Sequence, residues 1–113
     1  QADIELDGTG CYLSSGFVDL HTHLREPGKE EAETIESGSR AAALGGYTAV
    51  VAMPNTDPAQ DNVETVRFVR EQGIAAGLCE VVPSGCITIG RLAGGKHKRF
   101  SAFKLARGFC SAA

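Results

Sequence analysis

Residues 16–28 read Gly-Phe-Val-Asp-Leu-His-Thr-His-Leu-Arg-Glu-Pro-Gly. The apolar beginning of this stretch, residues 17–20, predicts a buried strand, and two histidines separated by one residue follow it directly. Side chains of an extended chain alternate between two faces, so His21 and His23 are expected on the same face, about 7 Å apart along the strand. Because one divalent metal ion can be reached from both positions, the motif predicts part of a metal site at a strand end.

Two features favour a metal site over ordinary surface or core histidines. Both histidines lie at the C-terminal end of an apolar strand, where the catalytic groups of α/β barrels collect. Arg25 follows His23 by two residues, before Pro27-Gly28 turns the chain away, so three polar groups gather at one strand end. The alternative for Arg25 is a solvated loop charge, and the residues alone leave both interpretations open.

Helical and strand patterns alternate after this motif. The order strand, helix, strand, with strands that are apolar almost throughout, predicts a parallel sheet with right-handed βαβ connections. Three such steps are compatible with the opening of a barrel or with an open doubly wound sheet, and no G-x-G-x-x-G follows a strand. The predicted elements are a β-hairpin over residues 3–13, a helix over 34–44, a strand over 47–53, a helix from Asp61 to Gly73 with Asp61 and Glu64 as a capping box, a strand over 78–82 and a short strand continuation over 86–89.

The composition describes one small unit of 113 residues with a net charge of -3. This charge indicates neither a nucleic-acid partner nor a membrane partner. The sequence leaves a homo-oligomer open. The four cysteines, Cys11, Cys79, Cys86 and Cys110, show no C-x-x-C spacing. They are therefore predicted to be reduced thiols, which indicates a cytoplasmic protein.

The last part of the chain, residues 91–113, has a different charge balance. All 14 acidic residues lie at or before Glu80, whereas Arg91, Lys96, Lys98, Arg99, Lys104 and Arg107 follow it. The pattern is typical of a solvated helix face, or of a sequence altered by truncation or by a reading-frame error, rather than of a nucleic-acid or phosphate patch. His97 lies between lysines whose charge opposes a bound cation, so it is not predicted to bind metal.

A second motif, taken together with the first, indicates a protein family. Residues 16–28, taken together with Ala-Met-Pro-Asn-Thr-Asp-Pro at 52–58, resemble the signature of dihydroorotases, which are cyclic-amide hydrolases of the amidohydrolase superfamily. The similarity extends from about residue 7 to about residue 90 and includes residues 33–38 and 42–48. It implies an α/β fold, namely the N-terminal fragment of a (β/α)8 TIM-type barrel with about three β/α steps.

The resemblance also implies roles for individual residues. His21 and His23 correspond to ligands of Zn2+, and a complete site holds one or two zinc ions. Arg25 and Asn55 correspond to the groups that bind the carboxylate of a small-molecule substrate, and His23 is also expected to contact the substrate. The chemistry agrees, because a guanidinium takes a carboxylate in a bidentate grip and an amide NH₂ adds a neutral donor. Without the resemblance, a turn residue is the better explanation of Asn55, because asparagine between Pro54 and Thr56 suits a loop. Asp19 is expected to support the metal site or to play a purely structural role.

The implied reaction is the reversible hydrolysis of (S)-dihydroorotate to N-carbamoyl-L-aspartate in pyrimidine biosynthesis. The family supplies its remaining metal ligands and its catalytic aspartate from later strands, so no catalytic residue is predicted within this chain, which is expected to be an incomplete fragment. The implied organisation is a remnant of a small β-domain (1–13), the first β/α units of the barrel (14–90) and a divergent or truncated basic tail (91–113). The alternatives are a hydantoinase or allantoinase, whose substrates lack a carboxylate for Arg25, and a non-catalytic truncated remnant.

Overall fold

A computed structural model describes residues 4–92. Three strands alternate with two helices, in the order β1 (Phe17–Thr22), α1 (Ile35–Leu44), β2 (Tyr47–Ala52), α2 (Val63–Ala76) and β3 (Glu80–Pro83), followed by a 3-10 turn at Ile89–Arg91. The strands form one sheet in the order β1-β2-β3, and both neighbouring pairs are parallel. The predicted α/β alternation and parallel sheet are therefore confirmed, while the closed barrel stays a prediction. The basic tail with His97 and Cys110 lies outside the described residues, apart from its first two positions.

The core lies between the central strand β2 and the two helices. Val50 and Ala52 of β2 are each only 2% exposed, and they pack with Ile35 of α1 and Val69 of α2, which are fully buried. Helices α1 and α2 also contact each other, α1 packs on β2, and α2 packs on β3. The apolar stripe of each helix thus faces the sheet.

The prediction that residues 17–20 form a buried strand is wrong for burial, although the strand itself is present. Phe17 and Val18 are each 57% exposed and Leu20 is 72% exposed. Strand β1 pairs with β2 along one side, and within residues 4–92 it is an edge strand. An apolar run predicts a strand whose side chains are buried by another segment. Within residues 4–92, no segment covers the outer side of β1.

The β-hairpin predicted over residues 3–13 is also wrong in its described part, because residues 4–16 contain no strand. The turn at its centre does form, since the backbone N–H of Cys11 donates to the carbonyl of Gly8 at 2.9 Å. The backbone N–H of Thr9 donates to Asp7 Oδ1 at 2.9 Å, and the Thr9 hydroxyl, which donates to the same oxygen at 2.7 Å, is the larger cause of a lowered pKa at Asp7. Two apolar positions on either side of a turn do not hold a hairpin together without a further surface to pack on.

Helix α1 begins at Ile35, one residue after its predicted start, and Thr34 is its N-cap. The Thr34 hydroxyl accepts from the backbone N–H of Ser37 at 3.1 Å, and the Ser37 hydroxyl accepts from the N–H of Thr34 at 3.0 Å. This reciprocal pair satisfies two N–H groups that a helix start leaves without intrahelical partners.

Helix α2 differs from its predicted bounds at both ends. Asn62, not Asp61, is the N-cap and accepts from the backbone N–H of Thr65 at 2.9 Å. Asp61 is engaged elsewhere, because its Oδ2 accepts from the backbone N–H of Gly90 at 2.7 Å. At the other end, the helix continues past Gly73 to Ala76 and stops at Gly77, whose φ of 62° is the left-handed conformation of a helix cap.

The later strands shift slightly from their predicted positions. Strand β2 ends at Ala52, and β3 occupies Glu80–Pro83 rather than 78–82. The continuation predicted over 86–89 is wrong, because this segment leads into the 3-10 turn instead of a strand. Within residues 4–92, no helix is both long and apolar enough to cross a membrane.

Three of the four cysteines lie in the described part of the chain, and all three are free thiols, as predicted. Cys11 is exposed, whereas Cys79 and Cys86 are partly buried. Burial raises the pKa of the Cys79 thiol, and burial followed by the negative charge of Asp61 raises the pKa of Cys86. These two thiols are therefore protonated at neutral pH and are weak nucleophiles.

Gly73 explains why a glycine inside α2 does not end the helix, and it provides a stability test. A Cβ at Gly73 would lie 2.5 Å from Cβ of Val81, so the helix and β3 approach each other closely there. In Gly73→Ala, we expect overpacking of about 1–3 kcal/mol to exceed the gain of about 1 kcal/mol in helix propensity. Urea unfolding of the chain should therefore show a lower free energy of unfolding.

Gly38→Ala in α1 is the matched control. A Cβ at Gly38 would first meet Cδ2 of Leu24 at 2.6 Å, which is the end of a buried side chain and can move further than Cβ of Val81 can. The free energy of unfolding of Gly38→Ala should exceed that of Gly73→Ala. Equal values for the two variants would contradict the close approach of α2 to β3.

Candidate active site

The carboxyl ends of β1 and β2 meet at one edge of the sheet and bring the predicted site residues into neighbouring segments. His21 lies in β1, and His23 and Arg25 follow in the loop after its last residue, Thr22. Asn55 lies in the loop after β2, which ends at Ala52. The edge is held by Thr22, whose carbonyl accepts from the N–H of Met53 at 2.8 Å and whose hydroxyl donates to the carbonyl of Val51 at 2.9 Å.

The two histidine rings lie next to each other. Their centroids are 5.2 Å apart and their planes meet at 65°, with His21 exposed and His23 partly buried. The carboxylate of Asp19 accepts from the backbone N–H of His21 at 2.9 Å, so Asp19 holds the strand at the first histidine rather than contacting its ring through this bond. Asp19 and His23 also line a cleft of about 310 Å³ between β1 and α1.

Asn55 contacts the second histidine directly. Its Oδ1 lies 2.8 Å from Nδ1 of His23, although the two residues are 32 positions apart in the sequence. Asn55 is thus more than a turn residue, because it joins the loop after β2 to the metal-site motif after β1. The spacing of the two motifs along the chain gave no indication of this bond.

A second contact fastens the same two loops together. The backbone N–H of Asp57 donates to the carbonyl of Pro27 at 2.9 Å. Gly28 has a φ of +100°, and a Cβ placed there would lie 2.0 Å from the carbonyl oxygen of Asp57. Only a residue without a side chain allows this approach, so Gly28 and Asp57 fix the distance between the loops.

Arg25 is exposed, and its carboxylate neighbour in the sequence is engaged elsewhere. Oε2 of Glu26 accepts from the backbone N–H of Ile35 at 2.7 Å, so Glu26 serves the N-terminus of α1. Among residues 4–92, the guanidinium of Arg25 takes part in no ion pair, in contrast to that of Arg40, which pairs with Glu36. The backbone of Arg25 has a φ of 62°, which is uncommon for a residue other than glycine and is often associated with functional sites.

The roles of Glu26 and Glu30 in this loop were not predicted. Besides Glu26 at the helix start, Glu30 Oε1 accepts from the backbone N–H of Gly28 at 2.8 Å, and this bond lowers the pKa of the Glu30 carboxyl. A Thr-x-x-Ser helix start is visible in the sequence, but a carboxylate that reaches the same helix from nine residues upstream leaves no local pattern. Both acidic side chains shape the loop that carries Arg25.

The donor set is suited to zinc but does not complete a site. Two adjacent imidazoles are common zinc ligands, and catalytic zinc usually takes three protein ligands and a water. Across residues 4–92, no group of three or more histidine, cysteine or acidic side chains is arranged to hold a metal ion. The pair therefore fits part of a zinc site.

Comparison with known proteins identifies the family. A model of the family described as dihydro-orotase-like matches residues 10–112. The chain belongs to this dihydro-orotase-like family. The resemblance drawn from the two motifs is thereby confirmed, and it extends over both strand-end loops.

Curated relatives carry the same name. The chain is 53% identical to a dihydroorotase of Pelobacter propionicus over 90 residues, which is 79% of this chain and 21% of that protein. It is 57% identical to a dihydroorotase of Mycobacterium tuberculosis over 89 residues, and 48% identical to one of Aquifex aeolicus over 86 residues, with 79% and 76% of this chain covered and 20% of each relative. The chain thus spans about a fifth of the length of these relatives.

Proposed function

We propose that this chain supplies part of the active site of a zinc-dependent dihydroorotase, which reversibly hydrolyses (S)-dihydroorotate to N-carbamoyl-L-aspartate. The observation that carries the proposal is the pair of imidazole rings 5.2 Å apart, with Asn55 bonded to one of them and Arg25 two residues beyond it. Metal ligands and carboxylate-binding groups stand at one edge of a parallel sheet, where α/β enzymes place their active sites.

In this proposal, His21 and His23 hold the metal and Arg25 and Asn55 hold the substrate. When bound, zinc supplies a Lewis acid that polarises the amide carbonyl and lowers the pKa of water. The guanidinium of Arg25 takes the substrate carboxylate in a bidentate grip, and the Asn55 amide adds a neutral donor. These contacts orient the ring amide toward the histidines, and positioning of this kind makes a large contribution to catalysis.

The positive charge of Arg25 favours a substrate that carries a carboxylate. Its neighbour Glu26 is committed to the start of α1, so the guanidinium is not neutralised by the adjacent acid. Hydantoin and allantoin offer no carboxylate to such a group, whereas dihydroorotate does. The dihydroorotase activity is therefore preferred to that of a hydantoinase or allantoinase.

The larger architecture and cellular setting belong to the same proposal. We place the three strands and two helices at the opening of a (β/α)8 barrel. Residues 1–13 would belong to a preceding β-domain, 14–90 to the barrel and 91–113 to a divergent tail. The free thiols support a reducing, cytoplasmic setting. A homo-oligomer is compatible with the exposed apolar side chains of β1, which a second surface could cover.

A chimera tests the proposed activity. The matched 90-residue segment of the Pelobacter propionicus dihydroorotase, which is 53% identical, is replaced by that of this chain. We expect zinc-dependent turnover of dihydroorotate and no comparable turnover of hydantoin. A folded, zinc-loaded chimera that leaves dihydroorotate intact, or that prefers hydantoin, would contradict the proposal.

Zinc binding by the chain gives a second test. His21→Ala and His23→Ala each remove an imidazole ligand. Loss of a residue that only hydrogen-bonds to a metal ligand weakens metal binding roughly 10- to 100-fold, so each of these variants should weaken zinc binding by at least that factor. Competition with a chromophoric chelator measures this affinity. His97→Ala removes the remaining histidine of the sequence and should leave it unchanged; an equal loss in all three variants would mean that zinc binds non-specifically.

A further inference from the structure

The hydrogen bond between Asn55 and His23 also determines which ring nitrogen of His23 carries the proton. An amide oxygen can only accept a hydrogen bond, and Oδ1 of Asn55 lies 2.8 Å from Nδ1 of His23. The proton of this bond must therefore be carried by Nδ1 of the imidazole. In a neutral ring, the other nitrogen, Nε2, then keeps its lone pair.

We propose that Asn55 is the positioning residue of His23, which it holds in the tautomer that presents Nε2 to the metal. The inference rests on the proposed function, because the metal is the zinc of that site. Metal-binding histidines commonly donate their second ring N–H to a carboxylate or carbonyl, which fixes the tautomer and the orientation of the ring. Here a side-chain amide from the neighbouring strand end takes that place.

The loop that carries Asn55 is fastened on both sides of this residue. Upstream, the N–H of Met53 donates to the carbonyl of Thr22. The carbonyl of Met53 accepts from Nε2 of Gln60, which is fully buried, at 2.9 Å. Downstream, Asp57 is bonded to Pro27. An acceptor held in this way can orient an imidazole without losing much conformational freedom itself.

The same hydrogen bond gives the oxygen and the NH₂ group of the Asn55 amide different roles. Because Oδ1 is used by His23, the NH₂ group is the end left to donate to a substrate carboxylate. Aspartate at this position would keep an acceptor for His23, but it would place a negative charge where the donor stood. Alanine would remove both groups.

This division allows the two tasks to be separated by paired variants of the full chain. In Asn55→Ala, zinc affinity should fall about 10- to 100-fold, as is usual when the outer partner of a ligand is removed. In Asn55→Asp, it should be retained or increased. Dihydroorotate turnover in the chimera should be lost in both variants, because neither offers a donor to the substrate carboxylate.

The tautomer itself is read from the ¹⁵N shifts of the histidines in the metal-free chain, at alkaline pH where imidazole is neutral. We expect His23 to carry its proton on Nδ1 in the wild type and in Asn55→Asp, and to lose this preference in Asn55→Ala. Thr56→Ala is the matched control, because it removes a side-chain bond to Pro58 in the same loop without touching His23, and its His23 shifts should match the wild type.

The outcomes separate this inference from the proposed function. A His23 tautomer that is the same in Asn55→Ala as in the wild type, or an equal loss of zinc affinity in Asn55→Asp and Asn55→Ala, would overturn the positioning role. Failure of the wild-type chain to bind zinc through its histidines would instead overturn the metal site. The metal-free tautomer would still decide whether Asn55 orients His23.

Discussion

Replacing Arg25 with alanine is expected to lower kcat/KM for dihydroorotate about 10- to 150-fold in the chimera. This range corresponds to the roughly 1.5–3 kcal/mol that a hydrogen bond to a charged group contributes. The lower part of the range is favoured by the exposure of Arg25, since solvent weakens an ion pair at the surface. Most of the change should appear in KM, because the guanidinium binds the carboxylate in the ground state as well as in the transition state.

Two comparisons make this result specific. Arg40→Ala removes another exposed arginine, whose partner is Glu36 on α1, and should leave kcat/KM unchanged. Arg25→Lys keeps the charge but loses the planar fork, and should recover only part of the activity. Dihydroorotate turnover that is equal in Arg25→Ala and in the unsubstituted chimera would remove Arg25 from the carboxylate site and reopen the hydantoinase alternative.

The pattern of apolar residues predicted the elements of the fold well but not what covers them. The β-branched run of β2 correctly predicted a strand, and its Val50 is 2% exposed. The similar run in β1 formed a strand whose Val18 is 57% exposed. Periodicity reports the local conformation, whereas burial depends on which other segment packs against that face. For β1, no such segment lies among residues 4–92.

Errors at the ends of α2 have a similar cause. Asp61 and Asn62 are both good helix caps, and the sequence alone cannot choose between them. The choice is made by a distant contact, because the Asp61 carboxylate accepts from Gly90 and so Asn62 caps the helix. Gly73 looked like a stop signal, yet its role is to let α2 approach Val81.

In the candidate site, too, the sequence predicted the local features but not the contacts between distant segments. The His-x-His spacing and the short distance to Arg25 are local, so the sequence predicted that these groups share a strand end. The bonds from Asn55 to His23 and from Asp57 to Pro27 each join loops about 30 residues apart. Such contacts follow from the parallel pairing of β1 with β2, and only the structure shows which atoms meet.

Gly28 is the residue on which this loop contact depends most, and Gly28→Ala is expected to have the largest effect on stability. The variant must place a side chain at a φ of +100°, at a cost of about 1–2 kcal/mol. Its Cβ must also displace the Asp57 carbonyl, which lies 2.0 Å away and belongs to the backbone, at a further cost of about 1–3 kcal/mol. Urea unfolding of the chain should show a free energy of unfolding lower by about 2–5 kcal/mol.

Gly46→Ala separates the two costs of Gly28→Ala. Gly46 has a φ of +83°, but the nearest atom to a Cβ there is Cδ2 of Phe17 at 3.7 Å, an ordinary contact. This variant should lose only the backbone cost of about 1–2 kcal/mol and keep its affinity for zinc. In Gly28→Ala, zinc affinity should fall as well, because moving Asp57 pulls Asn55 away from His23. If both variants lost the same stability and neither lost zinc, the contact between Gly28 and Asp57 would not be what holds the metal-binding histidine in place.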